Sequence, residues 1–402
     1  MANTLLTIGM ITREALRVLE NSLTFARRVT REYESYFGIE GAKIGTSLNV
    51  RKPPKYLGRT GTALGVEDTT ETFDTIVLNK QFGVDVSFTS AELALSLDDF
   101  SDRILKPAVV RVANEIDADG LALYSEVWNA VGTPGTVPSS LDTYLDAGVK
   151  LSDNAAPSDD NRSIVISPRM QAKIVDGLKS LFHQGEAIAK QYIRGKMGRA
   201  IGFDWFEDQN VATHQVGAYG GTPTVNGAGQ TGSSIATSGW TANVTNLLRK
   251  GDVVTFAGVN AINPVSLQDI GVLQQFVVTA NVNSNASGQA TIPIAPAIVT
   301  SGNGKTVTAS PANGAAVTVL GAANTVGRVG LAFHRDAITL ATADLPLPRG
   351  VDMAGRAGDK QLGISIRMVR AYDVSTDKFP CRLDVLYGWK ILRPEHVCRI
   401  HS

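Results

Sequence analysis

Between residues 209 and 327 the chain almost stops using charge. The only charged side chains in that stretch are Arg249, Lys250, Asp252, Asp269 and Lys305, although the whole 402-residue chain carries 38 Lys plus Arg and 38 Asp plus Glu. The stretch is rich in Gly, Ser, Thr, Asn, Ala and Val, with short apolar runs broken by turn residues. Composition returns to a mixed, charge-bearing pattern on both sides. That is the signature of a small all-β domain inserted into a loop of a larger host fold.

A chain of this length implies two or three domains rather than one core. A hydrophobic content of 43% supports a folded protein. No run of 18 apolar residues suggests a membrane span, and residues 1–12 lack the pattern of a secretory signal. The formal net charge is zero. A protein that grips nucleic acid by neutralising phosphates usually shows a basic excess, although a container for nucleic acid need not. Two cysteines, Cys381 and Cys398, cannot build a disulfide framework or a four-thiolate zinc site.

The period of the apolar residues then outlines the host. Residues 12–37 read as an amphipathic helix capped by Thr12, with Leu16, Leu19, Leu23 and Ala26 near one face. It is either a surface helix of its own domain or an arm that docks on a neighbouring subunit. Residues 44–88 read as a long β excursion. Pro53-Pro54 favours extended structure, Gly58, Gly61 and Gly65 mark a tip, and Phe82, Val84, Val86 and Phe88 alternate as a strand. Such a hairpin cannot bury much surface alone and needs a partner. Arg51, Lys52, Lys55 and Arg59 crowd its first limb, while Glu67, Asp68, Glu71 and Asp74 follow the tip. These eight residues are the candidate intersubunit contacts, able to set register against complementary charge.

The strongest helical stripe runs over 98–130, through Phe100, Ile104, Ala108, Val112, Ile116, Leu123 and Val127. Pro107 lies inside it. It either kinks a long spine helix or sits in the first turn of a helix beginning near Lys106, after a separate short helix at 98–105. Residues 139–206 read as α/β, with helices at 141–151 and 168–181, a buried strand at 163–167, and a basic, glycine-punctuated loop at 185–202. The end of the chain is a β-hairpin. Ile364, Ile366 and Met368 alternate, residues 373–380 turn, and Cys381, Leu383, Val385, Tyr387 and Trp389 alternate again.

Chemical motifs are sparse. GNGKT at 302–306 lacks the upstream glycine and following helix of a phosphate loop, and reads as a hairpin turn. His396, Cys398 and His401 would not share one strand face and have no fourth ligand nearby, so no metal is expected. His183, His214 and His334 are isolated. No catalytic residue and no cofactor is expected, and the chain is not expected to be an enzyme.

Three segments together resemble the major coat protein of the tailed phage P22 and its relatives. They are GDVVTFAGV at 251–259 with QQFVVTANV at 274–282, VGLAFHRDAITLATADLPLP at 329–348, and CRLDVLYGWKILRPEHV at 381–397. The resemblance implies an α+β, HK97-like capsid fold with an inserted small β-barrel. Its parts would be an N-terminal arm (1–43), an extended loop (44–89) and a peripheral domain with the spine helix (90–130). An axial domain (131–217 and 327–348) would surround the inserted barrel (218–326), and 349–402 would complete the peripheral and axial parts. It further implies self-assembly as hexamers and pentamers of an icosahedral shell around double-stranded DNA, without sequence-specific binding and without a membrane. A scaffolding protein and a portal protein are the implied partners, with assembly in the host bacterial cytoplasm. The family's acidic loop before the GDVVTFAG strand is not matched, because NGAGQTGSSIATSG at 226–239 carries no charge. An enzyme with a β-rich accessory domain, and a tail or adhesion protein, are the alternatives.

Overall fold

The computed structural model describes residues 8–31, 47–52, 54, 56–59, 61–64, 66–67, 72–89, 106–178, 198–359 and 364–402. They belong to two compact units. One takes residues up to 51, 73–120 and 338–390; the other takes 52–72, 121–337 and 391–402.

The first unit begins with α1 (Ile8–Ser22), which lays Ala15, Leu16 and Leu19 into the core. The expected helix at 12–37 is therefore displaced. Thr12 lies buried within α1 rather than capping it, and the helix stops at Ser22. The stop has a distant cause. The carboxylate of Asp117 accepts the N–H groups of Thr24 (2.7 Å), Phe25 (3.3 Å) and Ala26 (2.9 Å), donors that a continuing helix would send to its own carbonyls. Residues 32–37 lie outside the described residues.

Next come β1 (Ser47–Lys52) and β2 (Thr72–Val77), which pair as a two-stranded ribbon. The alternating strand β3 (Lys80–Thr89) leaves the ribbon, and pairs in antiparallel register with residues 378–387. The extended element is thus shorter than the expected 44–88. Helix α2 (Lys106–Ala122) buries Val109, Val112, Ala113 and Ile116. It does not reach 130. A 3-10 turn at Leu123–Glu126 follows, and Val127 is extended at φ −95°, ψ 128°. Pro107 is the second residue of α2 as described, in its first turn; residues 98–105 of the expected longer helix lie outside the described residues.

The second unit adds β4 (Ala130–Val131), α3 (Asp142–Asp153), β5 (Arg162–Ile166) and α4 (Pro168–Leu178). Proline opens α4 at a position that needs no N–H donor, and the Oγ of Ser167 accepts the N–H of Met170 at 3.4 Å. Most of the expected basic loop at 185–202 lies outside the described residues. The chain continues with β6 (Arg199–Ala200), β7 (Phe203–Glu207) and β8 (Thr213–Gln215).

Residues 221–319 then form β9 (Gly221–Val225), β10 (Gly232–Trp240), β11 (Val253–Ile262), β12 (Asp269–Val278), β13 (Ala290–Ile298) and β14 (Val317–Val319). They join in the order β14-β11-β12-β13-β10-β9, antiparallel throughout. A bridge between Thr224 and Ala316 links the two ends, so the sheet curls into a barrel-like form. Its interior holds Ile235, Trp240, Val254, Phe256, Phe276, Ile292 and Ile294. That core is mostly apolar, with buried Thr237 bonded to the ring nitrogen of Trp240 at 2.8 Å, so the segment needs few charges. GNGKT is a turn here, with the N–H of Lys305 bonded to the carbonyl of Gly302 at 3.2 Å.

The chain returns as β15 (Val326–His334) and continues through β16 (Ile338–Ala343), β17 (Met353–Asp359), β18 (Ile364–Arg370), β19 (Lys378–Ile391) and β20 (Val397–His401). In the first unit, β16, β19, β18 and β17 form a sheet in that order, with β3 also on β19 and α1 against β17 and β18. In the second, the order is β4-β20-β15-β5-β7-β6, with β8 also on β15. Helices α3 and α4 cover one face of that sheet through Tyr144, Leu151, Met170 and Ile174, packed with Phe203 and Trp205.

Candidate functional site

Two places concentrate side chains that a simple core does not need. One is the ribbon between β1 and β2. Arg51 and Arg59 are exposed there, and Lys52, Glu67 and Asp74 are half-buried. Lys55, Asp68 and Glu71 lie outside the described residues. The structure brings Glu67 to the backbone of Leu57, whose N–H donates to its carboxylate at 2.8 Å. Arg59 turns to the carbonyl of Gly61. The sequence reading stressed charge and missed the apolar side chains beside it. Tyr56, Leu57, Leu64 and Val66 are 53%, 57%, 85% and 84% exposed. Their signal was a run of large apolar residues in a glycine-rich tip, where no core could receive them.

The second place is the neck where the barrel joins the sheet of its unit. The ingoing and outgoing chains run antiparallel, with Gln215 opposite Val326 and His214 opposite Gly327. Buried Asp252 closes this neck. Its carboxylate takes His214 Nε2 at 2.8 Å, the N–H of Gly217 at 3.1 Å and the N–H of Arg249 at 2.8 Å. The other ring nitrogen of His214 lies 3.2 Å from the hydroxyl of Tyr124. One tautomer satisfies the whole chain: Tyr124 donates to Nδ1, and Nε2–H donates to Asp252. Gly251 has φ +97°, and a Cβ there would press on the His214 ring at 3.2 Å, so glycine is required.

Arg399 on β20 adds to the neck. It is fully buried and donates from Nη1 to the carbonyl of Gly251 at 2.5 Å. Burial pushes its pKa down to about 10, against the pull of Tyr124 and Asp252. His401, two residues on and on the same face, is held well below the usual histidine range by burial, and then by the charges of Arg399 and His214. Two further bonds fasten the barrel. Gln275 exchanges a pair of hydrogen bonds with the backbone of Ala130, both 2.9 Å, and Asn263 donates to the carbonyl of Asp153 at 3.1 Å.

Of the histidines treated as isolated in sequence, His214 and His334 are paired, and His183 lies outside the described residues. His334 meets Asp159 at 3.0 Å and His396 at 6.4 Å between ring centroids. Cys398 points into the opposite, apolar face of its sheet, where burial raises its thiol to about 12. Among the described residues no group of His, Cys, Asp and Glu could hold a metal ion. The neck is a fastening in which Asp252, His214 and Tyr124 face one another, while Nε and Nη2 of Arg399, Nε of Arg249 and both ring nitrogens of His401 are buried without a hydrogen-bond partner.

Residues 2–399 match the family described as P22 coat protein, gene protein 5. The chain belongs to the P22 coat protein family. It is accordingly a coat protein, a structural protein of a phage capsid. Solved structures to which the chain is similar include one of Mycobacterium phage Che8 (12% identity, TM-score 0.45, covering 94% of this chain and 90% of that one). The capsid of cyanophage P-SCSP1u is similar at 11% identity, TM-score 0.45, with 94% and 88% covered. The mature capsid of bacteriophage PhiM1 is similar at 10% identity, TM-score 0.45, with 94% and 86% covered. No curated protein matches the chain by sequence.

The P22-like segment at 381–397 can be read physically. Arg382 pairs bidentately with Asp85 of β3 at 2.9 Å, and that hydrogen bond lowers the Asp85 pKa. Asp384, nearly fully buried, receives Arg367 at 2.6 and 2.9 Å. Tyr387 donates to Asp119, which Lys80 also meets at 2.5 Å. At Gly388 a Cβ would lie 3.0 Å from the carbonyl carbon of Val77, so the close approach of that backbone needs glycine. Pro394 opens a 3-10 turn, after which Asn129 takes the carbonyls of Glu395 and Val397 at 3.0 and 3.1 Å.

Proposed function

We propose that this chain is the repeating subunit of a phage head, arranged as hexamers and pentamers in an icosahedral shell that encloses double-stranded DNA. The family match across residues 2–399 carries this reading. In it the subunit catalyses nothing, and its energy of interaction goes into closing a shell. A scaffolding protein guides assembly in the host cytoplasm, a portal protein occupies one vertex, and DNA is held without sequence-specific contacts. The ribbon of β1 and β2 reaches a neighbouring subunit, where exposed Tyr56, Leu57, Leu64 and Val66 supply burial and the flanking charges supply register. Residues 218–326 act as a separately folding domain.

Sedimentation velocity of the protein co-expressed with its scaffold tests the reading. Fast-sedimenting closed particles are expected. Arg59→Glu should lower their yield while leaving the melting of the unassembled subunit unchanged. Only discrete small oligomers from the unmodified protein would refute the proposal; normal particle yield from Arg59→Glu would refute the ribbon contact alone.

A further inference from the structure

Arg399 is buried with its best recognition edge unused. Nη1 donates to the carbonyl of Gly251, but Nε and Nη2 have no hydrogen-bond partner. These two nitrogens form the parallel fork with which a guanidinium grips an anion. The side chain is fully buried, so bulk solvent does not reach the fork. Two residues further along β20, on the same face of the strand, His401 is 2% exposed, and neither of its ring nitrogens has a partner.

The surroundings supply no acceptor. The cross-strand neighbours are Leu331 and Ala130 beside Arg399, and Val329 beside His401. The Tyr124 ring lies 6.0 Å from the guanidinium carbon, and the His214 ring 6.4 Å from that of His401. Tyr124 and His214 spend their polar atoms on each other and on Asp252. Both oxygens of Asp252 are already taken, Oδ1 by His214 and Oδ2 by the N–H groups of Gly217 and Arg249.

Charge points the same way. Arg249 and Lys250 directly precede Gly251, whose carbonyl holds Arg399, and Asp252 is the carboxylate whose charge acts on Arg399. Three cations thus gather around one acid, and none of the three enters an ion pair among the described residues. A water molecule can accept from the fork, but it leaves the buried charge uncompensated. An anion supplies both the acceptor and the charge. A polyvalent oxyanion would bring further oxygens with no donors here to meet them; a halide-sized ion brings none.

We propose that the Nε and Nη2 fork of Arg399 and one ring N–H of His401 bind a single small monovalent anion, of the chloride class, inside the neck. Through Arg399 and its bond to Gly251, the ion steadies the joint between β20 and the turn that leads into β11.

Thermal melting of the unassembled subunit, in chloride against gluconate at constant ionic strength, tests the site. The melting temperature should rise by at least about 2 °C for each tenfold increase in chloride once the site begins to fill. Arg399→Met, which keeps the bulk and removes the fork, should abolish that dependence. Crystals of the unmodified subunit in sodium bromide, measured at the bromine absorption edge, give a reading that does not need the variant to fold. An anomalous peak should lie in contact with Arg399 Nε and Nη2 and with the His401 ring. A melting temperature indifferent to chloride, or a chloride dependence that survives Arg399→Met, would overturn the proposal. So would bromide peaks at the surface alone, adventitious ions only, with water beside Arg399.

Discussion

Replacing Asp252 with alanine should loosen the neck between the barrel and its sheet more than any other single change there. Asp252 is 2% exposed and its carboxylate accepts from His214 Nε2, Gly217 N–H and Arg249 N–H at 2.8, 3.1 and 2.8 Å. A buried donor left without an acceptor costs about 1–3 kcal/mol. His214 can recover part of this by shifting its tautomer, and water can reach Arg249, which is half-buried. Arg399, fully buried, also loses the favourable pull of Asp252. The expected net loss is about 3–5 kcal/mol, a large fraction of the roughly 5–15 kcal/mol that holds a domain folded. Urea unfolding of the unassembled subunit measures it, followed by intrinsic fluorescence of Trp240 and Trp205, one in the barrel and one in the sheet. A double-mutant cycle with His214→Ala should show coupling of at least about 1 kcal/mol. A loss under about 1 kcal/mol for Asp252→Ala, or strict additivity with His214→Ala, would refute the neck as a fastening.

Acid should destabilise the same unit. His401 is held well below its ordinary value of 6.5 when folded, so the unfolded chain takes up a proton that the folded one refuses; stability is full above about pH 6.5 and falls as pH drops below it. His401→Gln should flatten the pH dependence of the melting temperature between pH 7 and 5, and an unchanged slope would contradict the assignment. Asp117→Ala removes the acceptor of three backbone donors at residues 24–26, and should cost about 3 kcal/mol, with hydrogen exchange accelerated there first; unchanged protection would count against it. Gly388→Ala should cost about 1–3 kcal/mol or more by overpacking, because a Cβ would meet the backbone of Val77 and Leu78 rather than a yielding side chain. A neutral Gly388→Ala in thermal melts would show that this backbone can move.

Local period was what the sequence could express. Alternation in β3 is set by the pleat of the strand, so it was legible residue by residue, whereas β19 alternates only as far as Leu383, beyond which Asp384 and Leu386 are buried on its other face as well. The charge-poor barrel was legible because an apolar interior and a turn-rich outside leave a compositional mark. The ends of helices were not. Helix α1 stops where Asp117, 93 residues away, claims its next donors. Helix α2 gives way at Ala122 because Tyr124 goes to His214, while the backbone of Asn129 and Ala130 goes to Arg399 and Gln275. The pairing of His214 with Asp252 spans 38 residues and has no local pattern. In hindsight Asp252 did carry a hint: a domain that tolerates almost no charge keeps three charged residues in one turn, at 249, 250 and 252. At the ribbon, counting charges drew attention away from Leu64 and Val66, whose exposure follows from a hairpin with nothing of its own to pack against.

The most direct measurement is cryo-electron microscopy of the protein co-expressed with its scaffolding protein. Closed icosahedral particles are expected, built of pentamers and hexamers. In the map, density for residues 47–77 should lie on an adjacent subunit. Tubes, fibres or only discrete small oligomers, from protein that is folded by circular dichroism, would contradict a shell-forming subunit.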